Sequence, residues 1–273
     1  SACQKCLLLP GGGSESDLSA RVWRKKHSII HNHTINFVSC SHWLQRKAEQ
    51  SGLFRHQSVT TIPNPINTHI FQPSLKSEAR KRMHLPLGKR IILFVSQRVT
   101  DERKGMSYFI EAVEKMISAD PTTKGTTVIA IMGGHGEEIA SQLPLQAYSL
   151  GYVSDDKAIV DAYNSADVFV LPSLEDNLPN TIMEAMACGV PCVGFNVGGI
   201  PEMIEHKKTG YVAKERDTDD LAAGIRWTLE PAQRQILSKN AVDKVQRCYS
   251  ERAVAMQYID IYTDAMAQKR YNI

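Results

Sequence analysis

Residues 167–196 read DVFVLPSLEDNLPNTIMEAMACGVPCVGFN. Two short apolar runs, DVFVLPS (167–173) and VPCVGFN (190–196), flank an acidic loop and a segment of helical pattern. The runs are continuously apolar rather than alternating, as expected of strands buried on both faces. Between them a helix is expected to begin near Asn180 or Thr181 and to stop at Gly189, since glycine takes up the left-handed conformation that ends helices. Strand, helix and strand in such close succession form a βαβ unit, and its two strands are parallel.

The same alternation extends outward. RIILFVS (90–96), TVIAIMG (127–133) and AYSLGYV (147–153) are further strand candidates. In MSYFIEAVEKMIS the residues Phe109, Val113, Met116 and Ile117 recur at helical spacing, and in DDKAIVDAYNSA so do Ile159, Val160 and Tyr163, after an acidic start that suits a helix N-terminus. The pattern predicts an α/β fold with a Rossmann-like, doubly wound parallel sheet, whose ligands sit at the carboxyl ends of the strands. The ends of the chain differ. Residues 217–269 read as successive helices broken near Pro231 and Ser250; residues 14–52 read as mostly helical and lead into VTTIPNP (59–65). The Pro-Asn-Pro turn marks a domain boundary, and the segment before it is too short for a sheet domain of its own.

Bulk composition narrows the function classes. The 273 residues are 42% hydrophobic and 22% charged, with a formal net charge of +3. That is ordinary for a chain with a substantial core, gives no general argument for nucleic acid, and makes any anion preference local. Six cysteines are too sparse for a disulfide scaffold, so a reducing compartment is expected, with Cys188 and Cys192 as small core residues. No run approaches the roughly 18 apolar residues of a membrane span. SACQKCLLLPGGG lacks the parts of a signal peptide, and the absence of an initial Met suggests a fragment or a processed product. CQKC (Cys3, Cys6) with His27 and His31 invites a zinc reading, but the interval from Cys6 to His27 is long for a finger; no metal is expected.

Five loops follow strands and should meet at one sheet edge. SQRVTDERKG (96–105) places Arg98, Arg103 and Lys104 before a helix, which is either an anion site or a solvated charged loop. MGGHGEE (132–138) is a tight turn without the spacing of a dinucleotide fingerprint. GYVSDD (151–156) either offers backbone groups to a flat ring with Tyr152 nearby, or is a turn with Ser154 as helix N-cap. Glu175, Asp176 and Asn177 open the loop before Leu178, Pro179, Asn180 and Thr181. Thr181-x-x-Glu184 fits a capping box; equally, a carboxylate that accepts two hydroxyl hydrogen bonds suits a sugar or ribose diol. NVGGIPEMIE (196–205) reads as mainly structural, its glycines permitting close backbone approach.

LPSLEDNLPNTIMEAMACGVPCVGFNVGGIPEMIEHKKTGYV (171–212) closely resembles the donor-binding half of retaining glycosyltransferases of the GT-B fold, in particular glycosyltransferase family four of the colanic-acid and exopolysaccharide type. IPNPINTHIFQP (62–73) resembles the interdomain linker, and ILFVSQRVTDERKG and GYVSDDKAIVDAYNSADVFVLPS add motifs in the same order, so that the likeness runs over about 60–260. The resemblance implies four segments: the tail of an N-terminal acceptor domain (1–62), a linker (63–74), the donor-binding domain (75–250), and a C-terminal helix (251–273) that packs back on the N-terminal domain.

It also implies roles. Two acids spaced E-x7-E mark the donor site in such enzymes; here the spacing runs from Asp176 to Glu184, an aspartate taking the first position. Glu184 would bind the ribose hydroxyls and Asp176 those of the transferred sugar, with Glu175 as understudy. Arg98 and Lys104 would hold the diphosphate, the backbone of Tyr152 and Val153 the base, and the backbone around Leu178, Pro179, Asn180 and Thr181 the sugar and phosphate. The implied reaction transfers a sugar from a UDP- or GDP-sugar to a glycan or lipid-linked acceptor with retention, in polysaccharide biosynthesis. It needs neither metal nor cofactor, since fixed cations stabilise the leaving diphosphate. The implied location is the cytoplasm, with peripheral association of the full-length enzyme at the inner membrane face. Two alternatives stand beside it: an inactive nucleotide-sugar-binding module, and a GT-B sugar-nucleotide epimerase or phosphorylase, whose acid/base residues or cofactor lysine have no counterpart here.

Overall fold

The computed structural model describes residues 5–6, 9, 13–14, 17–33, 35–55 and 57–271. The chain divides into two compact units, Ser1–Pro63 with Gln257–Ile273, and Asn64–Met256. In the first unit, helix α1 (Leu18–Asn32) starts at Asp17, whose carboxylate accepts from the Ala20 amide, and α2 (His42–Glu49) starts at Ser41, whose hydroxyl accepts from Leu44. Each cap satisfies an amide that the first helical turn leaves without a partner. Strands β1 (Phe37–Ser39) and β2 (Val59–Thr61) pair in parallel. The unit therefore holds a small sheet beside the expected helices. Of the two cysteines in CQKC, Cys3 lies outside the described residues; the His27 ring stacks between Trp23 and His31.

The second unit is the doubly wound sheet. Its elements in order are α3 (Lys76–Arg82), β3 (Arg90–Arg98), α4 (Met106–Ala119), α5 (Thr123–Thr126), β4 (Thr127–Gly134), α6 (Gly136–Ala140), β5 (Ala147–Ser149), α7 (Asp156–Ser165), β6 (Val168–Leu171), α8 (Asn180–Ala187), β7 (Cys192–Phe195), α9 (Ile200–Met203), β8 (Gly210–Ala213), α10 (Thr218–Leu229) and α11 (Pro231–Cys248). The last helix, α12 (Glu251–Tyr271), leaves this unit at Met256. The strand order is β5-β4-β3-β6-β7-β8, all parallel. Successive strands step outward from β3 in one direction and from β6 in the other. The crevice between β3 and β6, at their carboxyl ends, is the switch point where ligands bind in open α/β sheets.

Residues such as Ile91, Leu93, Phe94, Ile129, Phe169 and Phe195 are wholly buried because α4 packs with α10, α3 with α7 and α8 with α11, covering the sheet on both faces. Phe94 stacks on Phe109 with centroids 5.7 Å apart, and Tyr163 meets Phe169 edge-on at 5.9 Å. Burying each such side chain contributes about 1.5–3 kcal/mol. Three local expectations change. AYSLGYV is strand only over Ala147–Ser149, because Gly151 turns at φ +68° and its carbonyl accepts from Gly133. Helix α7 is capped by Asp155, not Ser154. GYVA (210–213), not expected as a strand, adds edge strand β8; its single valine and tyrosine are too short a run to read without the neighbour it pairs with. Among the described residues no helix is long and apolar enough to cross a membrane.

Candidate active site

The site follows from three loops that lock together at the switch point. After β3 a short 3-10 turn (Glu102–Lys104) ends at Gly105, φ +73°, whose absent Cβ would lie 1.9 Å from the Pro172 carbonyl oxygen. Leu174 donates to the Arg103 carbonyl at 2.8 Å, so the loops after β3 and β6 are stitched backbone to backbone. After β7, Gly198 at φ +58° sits where a Cβ would be 1.7 Å from the Asp176 carbonyl oxygen, and Gly199 donates to that oxygen at 3.0 Å. Only glycine permits approaches this close in that conformation. Both neighbouring loops therefore grip the loop that carries Asp176.

This clasp delivers Lys104 to Asp176. The Lys104 ammonium donates to Asp176 Oδ2 at 2.7 Å, and the Ser173 hydroxyl to the same oxygen at 3.2 Å. Both charged groups are largely covered. Arg103, one residue earlier, turns outward to Asp101 and is exposed. Arg98, the last residue of β3, is exposed, and its Nε donates to Thr100. Glu175 is exposed beside the loop.

Glu184 lies on α8, which begins at Asn180 after Pro179 with no side-chain cap. The capping-box alternative is therefore incorrect: Thr181 is the second residue of the helix, not its cap. Glu184 Oε2 instead accepts from the Tyr163 hydroxyl at 2.7 Å. Burial pushes the Glu184 carboxyl above its ordinary range, against the pull of the Tyr163 hydrogen bond. Tyr163 is fully buried, and the sequence showed it only as one more apolar position on α7. A buried tyrosine needs a partner for its hydroxyl, and that requirement was the available signal. Leu178 and Pro179 are buried; Pro179 brings no amide, and those of Asn180 and Thr181 belong to the positive end of the helix. Tyr152 is exposed and Val153 half-buried in the loop after β5.

The structure thus brings Lys104, Ser173 and Asp176 into direct contact and ties Glu184 to Tyr163, while Arg98 and Tyr152 make neither contact. His135, at φ +65°, starts α6 and pairs with Glu138, as a tight turn requires. Among the described residues no group of three or more His, Cys, Asp and Glu side chains stands together as a metal site.

Comparison with known proteins converges on one family. Residues 89–231, just over half of the chain, match the family described as Glycosyl transferases group 1. The D-inositol 3-phosphate glycosyltransferase of Streptosporangium roseum is 31% identical over 220 residues, covering 76% of this chain and 50% of that protein. An uncharacterised glycosyltransferase of Methanocaldococcus jannaschii is 30% identical over 229 residues, 81% of this chain and 58% of that one. The chain spans about half the length of the curated relatives it matches. Among solved structures, sucrose-phosphate synthase from Thermosynechococcus elongatus has a TM-score of 0.74 at 24% identity over 93% of this chain and 63% of its own. HepE of Anabaena in complex with UDP-glucose has 0.73 at 18%, over 91% and 68%. At these identities the structural likeness establishes the fold.

Proposed function

The chain belongs to the group 1 glycosyl transferases, and on that premise we propose that it is the nucleotide-sugar-binding part of a retaining enzyme of glycosyltransferase family four. The observation that carries this reading is the Lys104–Asp176 pair at the β3/β6 switch point, with Glu184 held by Tyr163 on the helix that follows. A cation and two carboxylates gathered where an open sheet binds ligands suit a molecule with both diphosphate and hydroxyls. On donor binding Lys104 exchanges Asp176 for the diphosphate, with Arg98 alongside. Asp176 turns to the hydroxyls of the sugar, and Glu184 takes the ribose diol through its other oxygen. The backbone of Tyr152 and Val153 meets the base, and that from Leu178 to Thr181 the sugar and phosphate.

Chemistry follows from charge. As the bond from the sugar to the diphosphate breaks, negative charge grows on the leaving oxygen, and fixed donors aimed there lower the barrier. The acceptor hydroxyl attacks the same face and passes its proton to the leaving phosphate, which gives retention without metal or cofactor. In this reading 1–62 is the tail of an acceptor domain, 63–74 the linker, 75–250 the donor domain and 251–273 the returning helix. The transfer serves polysaccharide biosynthesis in the cytoplasm, with a glycan or lipid-linked acceptor and peripheral membrane association of the longer enzyme. The relatives named as D-inositol 3-phosphate glycosyltransferases favour a second acceptor class, a phosphorylated polyol.

A melting-temperature panel with UDP-, GDP- and ADP-sugars tests the donor site. A matching donor at a hundred times its Kd should stabilise the chain by about 2.7 kcal/mol. Glu184→Ala and Lys104→Gln should each abolish most of the shift. Absence of a shift with every nucleotide would remove the donor-site reading.

A further inference from the structure

The edge of the sheet opposite the donor loops carries a second concentration of charge. Arg90 opens β3, Thr127 opens β4, and Asp167 immediately precedes β6, so all three stand at the amino ends of their strands. A groove of about 650 Å³ there is lined by five cationic side chains, Lys76, Arg80, Lys89, Arg90 and Arg234, against one carboxylate, Asp167. The whole chain has a net charge of only +3. This lining alone carries an excess of four.

The carboxylate is already spoken for. Its Oδ1 accepts from Lys76 at 2.6 Å and Arg234 at 2.9 Å, and its Oδ2 accepts from Arg80 at 2.7 Å and the Ile91 amide at 2.8 Å. A carboxylate offers about four acceptor positions, so Asp167 has none left for a further cation. Arg80 is nearly saturated, with four of its five donors engaged: besides the Nη2 bond to Asp167, its Nε donates to the Ser165 carbonyl and its Nη1 to the carbonyls of Leu87 and Lys89. Lys76 and Arg234 differ. Each is partly exposed and directs one bond to Asp167, out of the three donors of an ammonium and the five of a guanidinium. Burial, and the neighbouring Arg234 and Arg80, hold the Lys76 ammonium below its ordinary range despite Asp167. A half-covered cation in that position gains from any additional anion.

We propose that this amino-edge groove is a binding site for the phosphate group of a small phosphorylated molecule, held by Lys76 and Arg234 with Lys89 and Arg90 at the rim. Three cations around one buried carboxylate leave an excess of two charges, which a phosphate dianion matches. Guanidinium and ammonium donors in adjacent positions suit its tetrahedral oxygens. The volume falls within the range of small-molecule sites, roughly 300–1,000 Å³, and so accommodates the molecule bearing the phosphate as well. The site shares no residue with the β3/β6 crevice and does not depend on the donor reading.

Inorganic phosphate is the probe. The full chain is titrated at near-neutral pH by 1H–15N NMR, with sodium chloride at matched ionic strength as reference. The expected result is a saturable shift of the Gly88 and Thr126 amides with phosphate, and only a shallow drift with chloride. Arg234→Gln should weaken the midpoint by about tenfold or more, the loss of one charge-assisted hydrogen bond. Lys89→Gln, at a rim residue whose ammonium donates to the Gly125 carbonyl and not to the buried carboxylate, should weaken it as well while lowering the melting temperature less than Arg234→Gln does. The same drift with both salts, or saturable binding with an unchanged midpoint in both variants, overturns the assignment.

Discussion

Glu184 is a carboxylate placed where its charge is costly. Burial raises its pKa above 4.5, so the folded state binds a proton more readily than the unfolded one. Stability therefore falls as pH rises from the ordinary carboxylate range through the raised value. Glu184→Gln is expected to melt higher than the parent chain at neutral pH and to lose that advantage in acid, while nucleotide binding is lost at both. Denaturant melts across pH check this, and a constant difference at all pH values would show that Glu184 is not the titrating group. Tyr163→Phe removes the hydroxyl that fixes Oε2. It should destabilise the fold by about 1–3 kcal/mol and weaken the nucleotide, moving the pH midpoint of binding upward because the carboxyl loses a donor. Of these two residues, the sequence spacing pointed to Glu184 alone. A hydroxyl on an apolar helix face has no partner until α7 and α8 lie side by side.

At the scale of elements the site is a set of loops held by missing side chains. The repeated strand–helix pattern is enough to place the loops after β3, β6 and β7 on one edge. Their mutual grip is not written in any one of them. Gly198 read as a permissive residue in a structural loop; in the fold its missing Cβ makes room for the carbonyl of Asp176. Gly198→Ala should destabilise by about 3 kcal/mol, through a strained φ and a clash with backbone, and should abolish nucleotide-induced stabilisation. Gly125→Ala, in a helical turn with open space around it, should change stability by less than about 1 kcal/mol, or improve it through helix propensity. Paired chemical denaturation curves measure both. Equal effects would mean that the clasp contributes nothing specific.

For the whole molecule, Asp167 is the point at which helix α3, strand β3 and helix α11 are tied to the start of β6. Burial pushes its carboxyl up, but Lys76, Arg80 and the Ile91 amide together hold it below 3.8. A depressed carboxyl contributes stability that is present above its unfolded pKa and is lost as pH falls through the folded one. Asp167→Asn leaves three cations without their counterion and should cost about 3–5 kcal/mol, with a shallower loss of stability in acid than the parent shows; calorimetry across pH reads both. The sequence by itself determined the doubly wound class and the switch-point loops, because apolar period and glycine placement are local properties of a chain; it was resemblance to a family that singled out Lys104, Asp176 and Glu184 within those loops. Tertiary structure alone decided that β8 is a strand, that Tyr163 rather than a helix cap engages Glu184, that Gly198 clasps Asp176, and that cations from distant segments meet at Asp167. Each of these rests on groups far apart in the chain, and contact between them exists only after the sheet has closed the distance.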